Sequence, residues 1–261
     1  MYQSTEAFGN LIQQDSRTFK SLITFGDVSI TDAKSIKITG GSEGEDDFSL
    51  GSVISQYITV IISNCAGKIE NHELMLQIGM DVNGLTEYIP MGYFTAMKPE
   101  RSEDQITFTA YDRMIRLEKT FPSGVSINNT IAALKKIQET TGVEVITAGL
   151  ETVPMSSPKG YSCREVLSYI AQMYGGFAIC NRQGQIEIHT YEDCNYPVGP
   201  ERYWDSFKHN EYPFTIEKIT CYTGKDKDGN SNSITSGSGK RTVSISNPFM
   251  TQTALDHVMS A

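Results

Sequence analysis

"YIPMGYFTAMKPERSEDQITFTAYDRM", residues 88–114, alternates apolar and polar side chains, breaks at a highly charged run over 98–104, alternates again and ends on Tyr111, Asp112 and Arg113. A period of two marks a strand with one buried face, so the stretch reads as two strands, 93–97 and 105–111, joined by the charged turn. Upstream, "HELMLQIGMDVNGLTEYI" (72–89) adds two strands around Asn83 and Gly84, a dipeptide that accepts the positive φ angles of a tight hairpin. Further back, "YITVII" (57–62) is short and β-branched, as a buried strand is, while "SRTFKSLITF" (16–25) and "SIKIT" (35–39) alternate. "GGSEGEDD" (40–47) reads as a solvated acidic loop that returns to β texture in "FSLGSV". The first 118 residues thus hold about six or seven short strands, with one helical turn near "YDRMIRLE".

The texture then changes. Ile127, Ile131, Leu134 and Ile137 form a one-sided stripe that predicts a helix over 127–141, with Gly142 where a helix commonly stops. Ser162 and Glu165 have capping-box spacing, Val166, Leu167, Ile170 and Met173 make the buried face, and Gly175 and Gly176 end a second helix. "FAIC" and "QIEIHTY" flank 181–184 as a hairpin. From Phe207 the β texture resumes in "FTIEKITCYT", a long polar loop over 224–240, and "RTVSIS". The segment 247–261 opens like a helix, capped by Thr251 or Thr253, with Ala254, Leu255, Val258 and Met259 on one face. So short a helix is expected to bury its stripe poorly, so the polypeptide reads as a piece of a longer protein. The expected fold class is α+β, mainly β.

Composition narrows the function. With 261 residues, 39% hydrophobic and 20% charged, the chain is an ordinary folded protein with enough length for real cores. A net charge of −9 argues against a surface that holds nucleic acid, because such affinity comes chiefly from Lys and Arg displacing counterions. No apolar run reaches the roughly 18 residues of a membrane-spanning helix, and residues 1–12 lack the pattern of a secretory signal. The five cysteines, Cys65, Cys163, Cys180, Cys194 and Cys221, fit neither a zinc ribbon nor a Cys-x-x-Cys pair and read as reduced, mostly buried thiols.

Motifs that carry chemistry all fall short. His72 and Glu73 begin like H-E-x-x-H, but Leu76 occupies the second ligand position and the stretch alternates as a strand. His189 sits on a strand, and His209 and His257 stand in polar surroundings. "SGSGKRT" (236–242) lacks the early glycine of a phosphate-binding loop, where Ile234 stands, and has Arg241 after Lys240. "DKDGNSN" (226–232) does not keep the EF-hand order, and its Asp, Asn and Gly are ordinary turn formers. Asp46 and Asp47 sit in the acidic loop, where water screens them. No catalytic, cofactor-binding or metal-ligating residue is therefore assigned.

"FSLGSVISQYITVIIS" (48–63), "YIPMGYFTA" (88–96) and "ITFTAYDRMIRLE" (106–118), in this order after "SRTFKSLITF", resemble the tail-hub and tail-tip proteins of bacteriophages and prophages of Gram-positive bacteria. "SCREVLSYIAQMYGGFAICNRQGQIEI" (162–188) resembles the inserted α/β domain of that family, and "RTVSISNPFMT" (241–251) its strand leading into the next helix. The resemblance implies a first tube-forming β-barrel domain over 1–118, a small α/β domain over 119–196, and the start of a second tube-forming barrel over 197–261, truncated where the family usually continues. It implies a structural, non-enzymatic baseplate-hub protein of the virion tail, assembled in the host cytoplasm. A homotrimeric ring would join the tail tube to a tip or spike around a channel for DNA, without cofactor, membrane contact or specific nucleic-acid binding. An acidic or neutral lumen would let phosphates slide, which suits the net charge. The rival readings are the anchoring part of a peptidoglycan lysin or endopeptidase, and a receptor- or carbohydrate-binding module using Tyr203, Trp204 and Tyr212. The turn at 98–104 and the stretch 224–240 are candidate contacts with neighbours.

Overall fold

The computed structural model describes residues 4–31, 33–40, 50–63, 69–191, 215–225 and 228–260. After a short helix α1 (Glu6–Ile12) come β1 (Lys20–Phe25), β2 (Val28–Ile30), β3 (Ser35–Thr39), β4 (Val53–Ile54), β5 (Tyr57–Ser63), β6 (Glu73–Val82), β7 (Leu85–Arg101) and β8 (Gln105–Asp112). Seven of these strands form one antiparallel sheet in the order β2-β1-β6-β7-β8-β5-β3. The β6–β7 hairpin turns on Asn83 (φ 51°) and Gly84 (φ 85°), with Val82 opposite Leu85, as the dipeptide dictates. β7 runs through the stretch read as a charged turn. A bulge between Met97 and Glu100, with Lys98 at φ 43°, lets Glu100 and Arg101 pair again with Thr107 and Ile106. A second bulge lies opposite Leu76 and Gln77, at Gly92 (φ 141°). Such bulges sharpen the local twist of long strands.

The alternation has one outcome for packing. Ile23, Ile30, Ile58, Val60, Ile62, Leu74, Leu76, Phe94, Ala96, Ile106, Phe108 and Ala110 all come from this sheet and form one buried cluster. β2, at one end of the order, and β5, next to the other end, contribute to the same buried core, as they do when a sheet curls over its own inner face. The expected closed barrel is not what the ladders make: among the described residues β2 and β3 are the sheet's two ends, and none of the sheets closes. β2, only three residues long, offers little length for a closing ladder.

The second part begins at a 3-10 helix (Arg113–Glu118), followed by α2 (Thr130–Thr141), α3 (Cys163–Met173), β9 (Gly176–Cys180), β10 (Ile186–Thr190), β11 (Lys218–Lys225), β12 (Ser231–Gly237), β13 (Thr242–Ser246) and α4 (Gln252–Ser260). α3 has the capping box read from sequence: Glu165 N–H donates to Ser162 Oγ, and Ser162 N–H to Glu165 Oε2 at 2.7 Å. α2 starts three residues later than its stripe suggested. Ile127 and Asn128 are used in pairing with Ser157 and Met155, so Asn129 becomes the cap, while Gly142 ends the helix in the left-handed conformation as expected. β9 pairs antiparallel with β10 around 181–184 and parallel with β4.

β11 lies between β12, antiparallel, and β13, parallel. β12 occupies part of the stretch read as loop; its residues are exposed apart from two, so no apolar alternation announced it. α4, capped by Thr251, buries Ala254, Leu255 and Val258, contrary to the expectation that so short a helix could not. One cluster joins Leu134, Ile137, Leu167, Ile170 and Ile186 with Ile219, Cys221, Phe249 and Leu255, so both stretches after residue 118 share a core. Replacing Ser162 by Ala should lower stability by about 1 kcal/mol, read as a shift in the denaturation midpoint with unchanged slope. No shift would mean that the capping box does not secure α3.

Candidate functional site

The residues weighed for chemistry do not converge. His72 lies just before β6, its ring 6.4 Å from that of Phe25, and Leu76 is fully buried in the sheet core. His189 stacks on Phe177 at 5.8 Å and lies 3.0 Å from Glu187; His257 is on α4. In "SGSGKRT" the backbone N–H groups of Lys240 and Arg241 donate to the Glu217 carboxylate at 2.7 and 3.1 Å. Those donors also hold the Glu217 carboxyl below its ordinary pKa. The loop's amides thus already serve an internal anion.

In "DKDGNSN", Gly229 stands in the turn of the β11–β12 hairpin. Burial pushes the Cys180 thiol up to about 12 and Cys221 to about 11, and Cys163 also upward, so the three stay protonated. Among the described residues no group of three His, Cys, Asp or Glu is assembled to hold a metal. Cys65, Cys194, His209, Asp46, Asp47, Tyr203, Trp204 and Tyr212 lie outside the described residues.

What the structure does build is a joint between the two cores. The segment 50–56 is a strap between the cores: it leaves the second core as β4 and leads into β5 of the sheet. Along α3, Arg164, Ser168 and Gln172 stand one turn apart and donate to main-chain carbonyls of this segment: Arg164 Nη2 to Val53 O (3.0 Å), Ser168 Oγ to Gly51 O (2.7 Å), Gln172 Nε2 to Leu50 O (3.3 Å). Gly51 N–H donates to Gly176 O on the other side. The helix thus covers the free edge of β4. Gly51 has φ 83°, and a Cβ there would meet Ser168 O at 2.7 Å, so this position requires glycine. An open groove between α3 and this segment, about 470 Å³, is lined by Val53, Glu165 and Tyr169 among others. Its two charged residues are occupied, Arg164 with Glu118 and Val53 O, Glu165 in the capping box.

At the end of β8, Asp112 closes the joint. Its carboxylate accepts from Gln56 N–H (2.7 Å), Ser55 Oγ (3.0 Å) and Met114 N–H (3.0 Å), binding the strap, the end of β8 and the 3-10 helix together. Glu73 then takes Arg113 in a two-point contact (2.8 and 2.9 Å) and Arg116 at 2.8 Å, while Arg113 also reaches Gly184 O and lies 4.4 Å from the Tyr93 ring centre. These pairs were not legible in sequence, because Glu73 and Arg113 are forty positions apart on different elements.

The two carboxylates respond oppositely to pH. Burial pushes the Asp112 carboxyl up despite its three donors, so its ionisation costs stability at neutral pH and the cost is relieved as pH falls. The hydrogen bonds from Arg113 hold the Glu73 carboxyl below the ordinary carboxylate range. Its contribution is therefore present above that ordinary range and lost as pH falls through the depressed one. Glu73→Gln should cost about 1–2 kcal/mol at neutral pH. Melting temperatures across pH should show its gap from the parent protein closing in acid; a gap independent of pH would contradict the ion pair. Gly51→Ala should cost about 2–4 kcal/mol in denaturant unfolding, and a neutral effect would contradict the tight strap.

The fold is similar to that of two solved tail proteins. The 43 kDa tail protein of prophage MuSo2 from Shewanella oneidensis has a TM-score of 0.53 and 14% identity, over 90% of this chain and 75% of that one. The tail protein of Neisseria meningitidis MC58 has a TM-score of 0.56 and 10% identity, over 92% and 73%. No protein-family model and no curated protein sequence matches the chain. At such identities the likeness is one of fold.

Proposed function

We propose that this chain is a structural protein of a phage or prophage tail, acting as a hub whose work is done by interfaces. The observation that carries the reading is the fold shared with two tail proteins across nine-tenths of the chain. In this reading residues 1–118 form the first tube-forming unit, 119–196 the small α/β domain, and 197–261 the beginning of a second tube-forming unit. The curled sheet keeps a self-contained core while presenting two strand ends, β2 and β3, as templates for pairing with neighbouring chains. A barrel wall completed by neighbours would reconcile an open sheet in one chain with a closed tube in the assembly.

The finer proposal is a trimeric ring with a channel for DNA, placed between tail tube and tip or spike, in a virion assembled in the host cytoplasm. A host among Gram-positive bacteria rests on the sequence resemblance. The hub role is geometric, and the rings, thiols and carboxylates described above are engaged in packing and joints, which favours it over a lysin. Sedimentation over a range of concentrations should report a species of three chains, and a monomer throughout would contradict the ring. Zymography on peptidoglycan should show no clearing by residues 1–261; a cleared zone would overturn the structural reading.

A further inference from the structure

The β6–β7 turn that sets the sheet's register is also the place where the chain is open to a chemical change. Asn83 is the asparagine followed by glycine in this sequence, and no other asparagine is. Both turn residues are exposed, and apart from its chain neighbours nothing lies within 4 Å of the position a Gly84 Cβ would take. Other asparagine side chains are tied down: Asn129 caps α2, Asn181 donates to Gln185 and Glu187, and Asn247 donates to Tyr169 O. The Asn83 amide has no hydrogen-bond partner among the described residues.

We propose that Asn83 is a site of spontaneous deamidation. The Gly84 backbone nitrogen attacks Asn83 Cγ, a C–N bond forms, the Cγ–Nδ2 bond breaks, and ammonia leaves with the proton taken from the attacking amide. The five-membered succinimide that results is opened by water at either carbonyl. One opening gives an aspartyl residue and the other an isoaspartyl residue; no oxidant or reductant is needed. The isoaspartyl product inserts a methylene into the main chain of a two-residue turn, which cannot then keep Val82 opposite Leu85. The aspartyl product places a carboxylate two residues from Asp81, whose own charge is matched by Lys20 at 2.7 Å. Leu85, 78% exposed at the tip, is the apolar side chain whose presentation changes with the turn.

The test is storage of the folded protein at mildly alkaline pH, followed by peptide mapping and isoaspartate-specific methyl labelling. The peptide spanning 73–97 should gain the mass of oxygen in place of NH and carry most of the label. Asn83→Gly keeps a turn that tolerates positive φ and should reduce the label to background. Three results would overturn the proposal: no change in the native protein while denatured protein is modified, label centred on another asparagine, or equal label in N83G.

Discussion

The molecule depends on one short crossing. Residues 50–56 are shared between two cores, being β4 beside β9 and then the entrance to β5 in the curled sheet. A chain segment in that position has two edges of backbone donors and acceptors to satisfy, and burying them unpaired would cost more than the packing gains. β9 answers one edge through ladder bonds, and three side chains one helical turn apart on α3 answer carbonyls on the other. Asp112 then locks the far end of the strap to the last strand of the sheet. Hydrogen bonds thus tie the two cores to each other at this crossing.

That design suits a part whose purpose is shape. In the proposed role, a curled sheet with its core inside would leave its two end strands for neighbouring chains. The polar joint at Glu73, Arg113 and Arg116 sits where the sheet meets the α/β part, and its charges are spent on one another. Thiols with raised pKa, a glycine-rich loop whose amides hold Glu217, and histidines set against rings or carboxylates all use reactive residue types for packing.

The strands and hairpins were legible because alternation and turn chemistry act over neighbouring residues. Asn83 and Gly84, the Ser162 and Glu165 cap, and the 181–184 turn each carry their geometry locally. Three features were not. β12 is an exposed edge of small polar residues, and its pairing is decided by β11 rather than by its own pattern. The start of α2 was displaced by tertiary pairing with 153–157, which outweighed the stripe. The joint itself joins residues 40 to 122 positions apart, and nothing in a single sequence sets Gln172 against Leu50. Alternation also predicts a buried face without saying whether the sheet closes, which is why the barrel expected from the resemblance appears as an open, curled sheet.

The central claim is that these elements serve assembly into a tail. Electron microscopy of the purified protein in negative stain tests it most directly, by counting subunits and reading the symmetry of single particles. The account predicts rings of three-fold symmetry with a central opening; isolated compact monomers with no ordered association would contradict it.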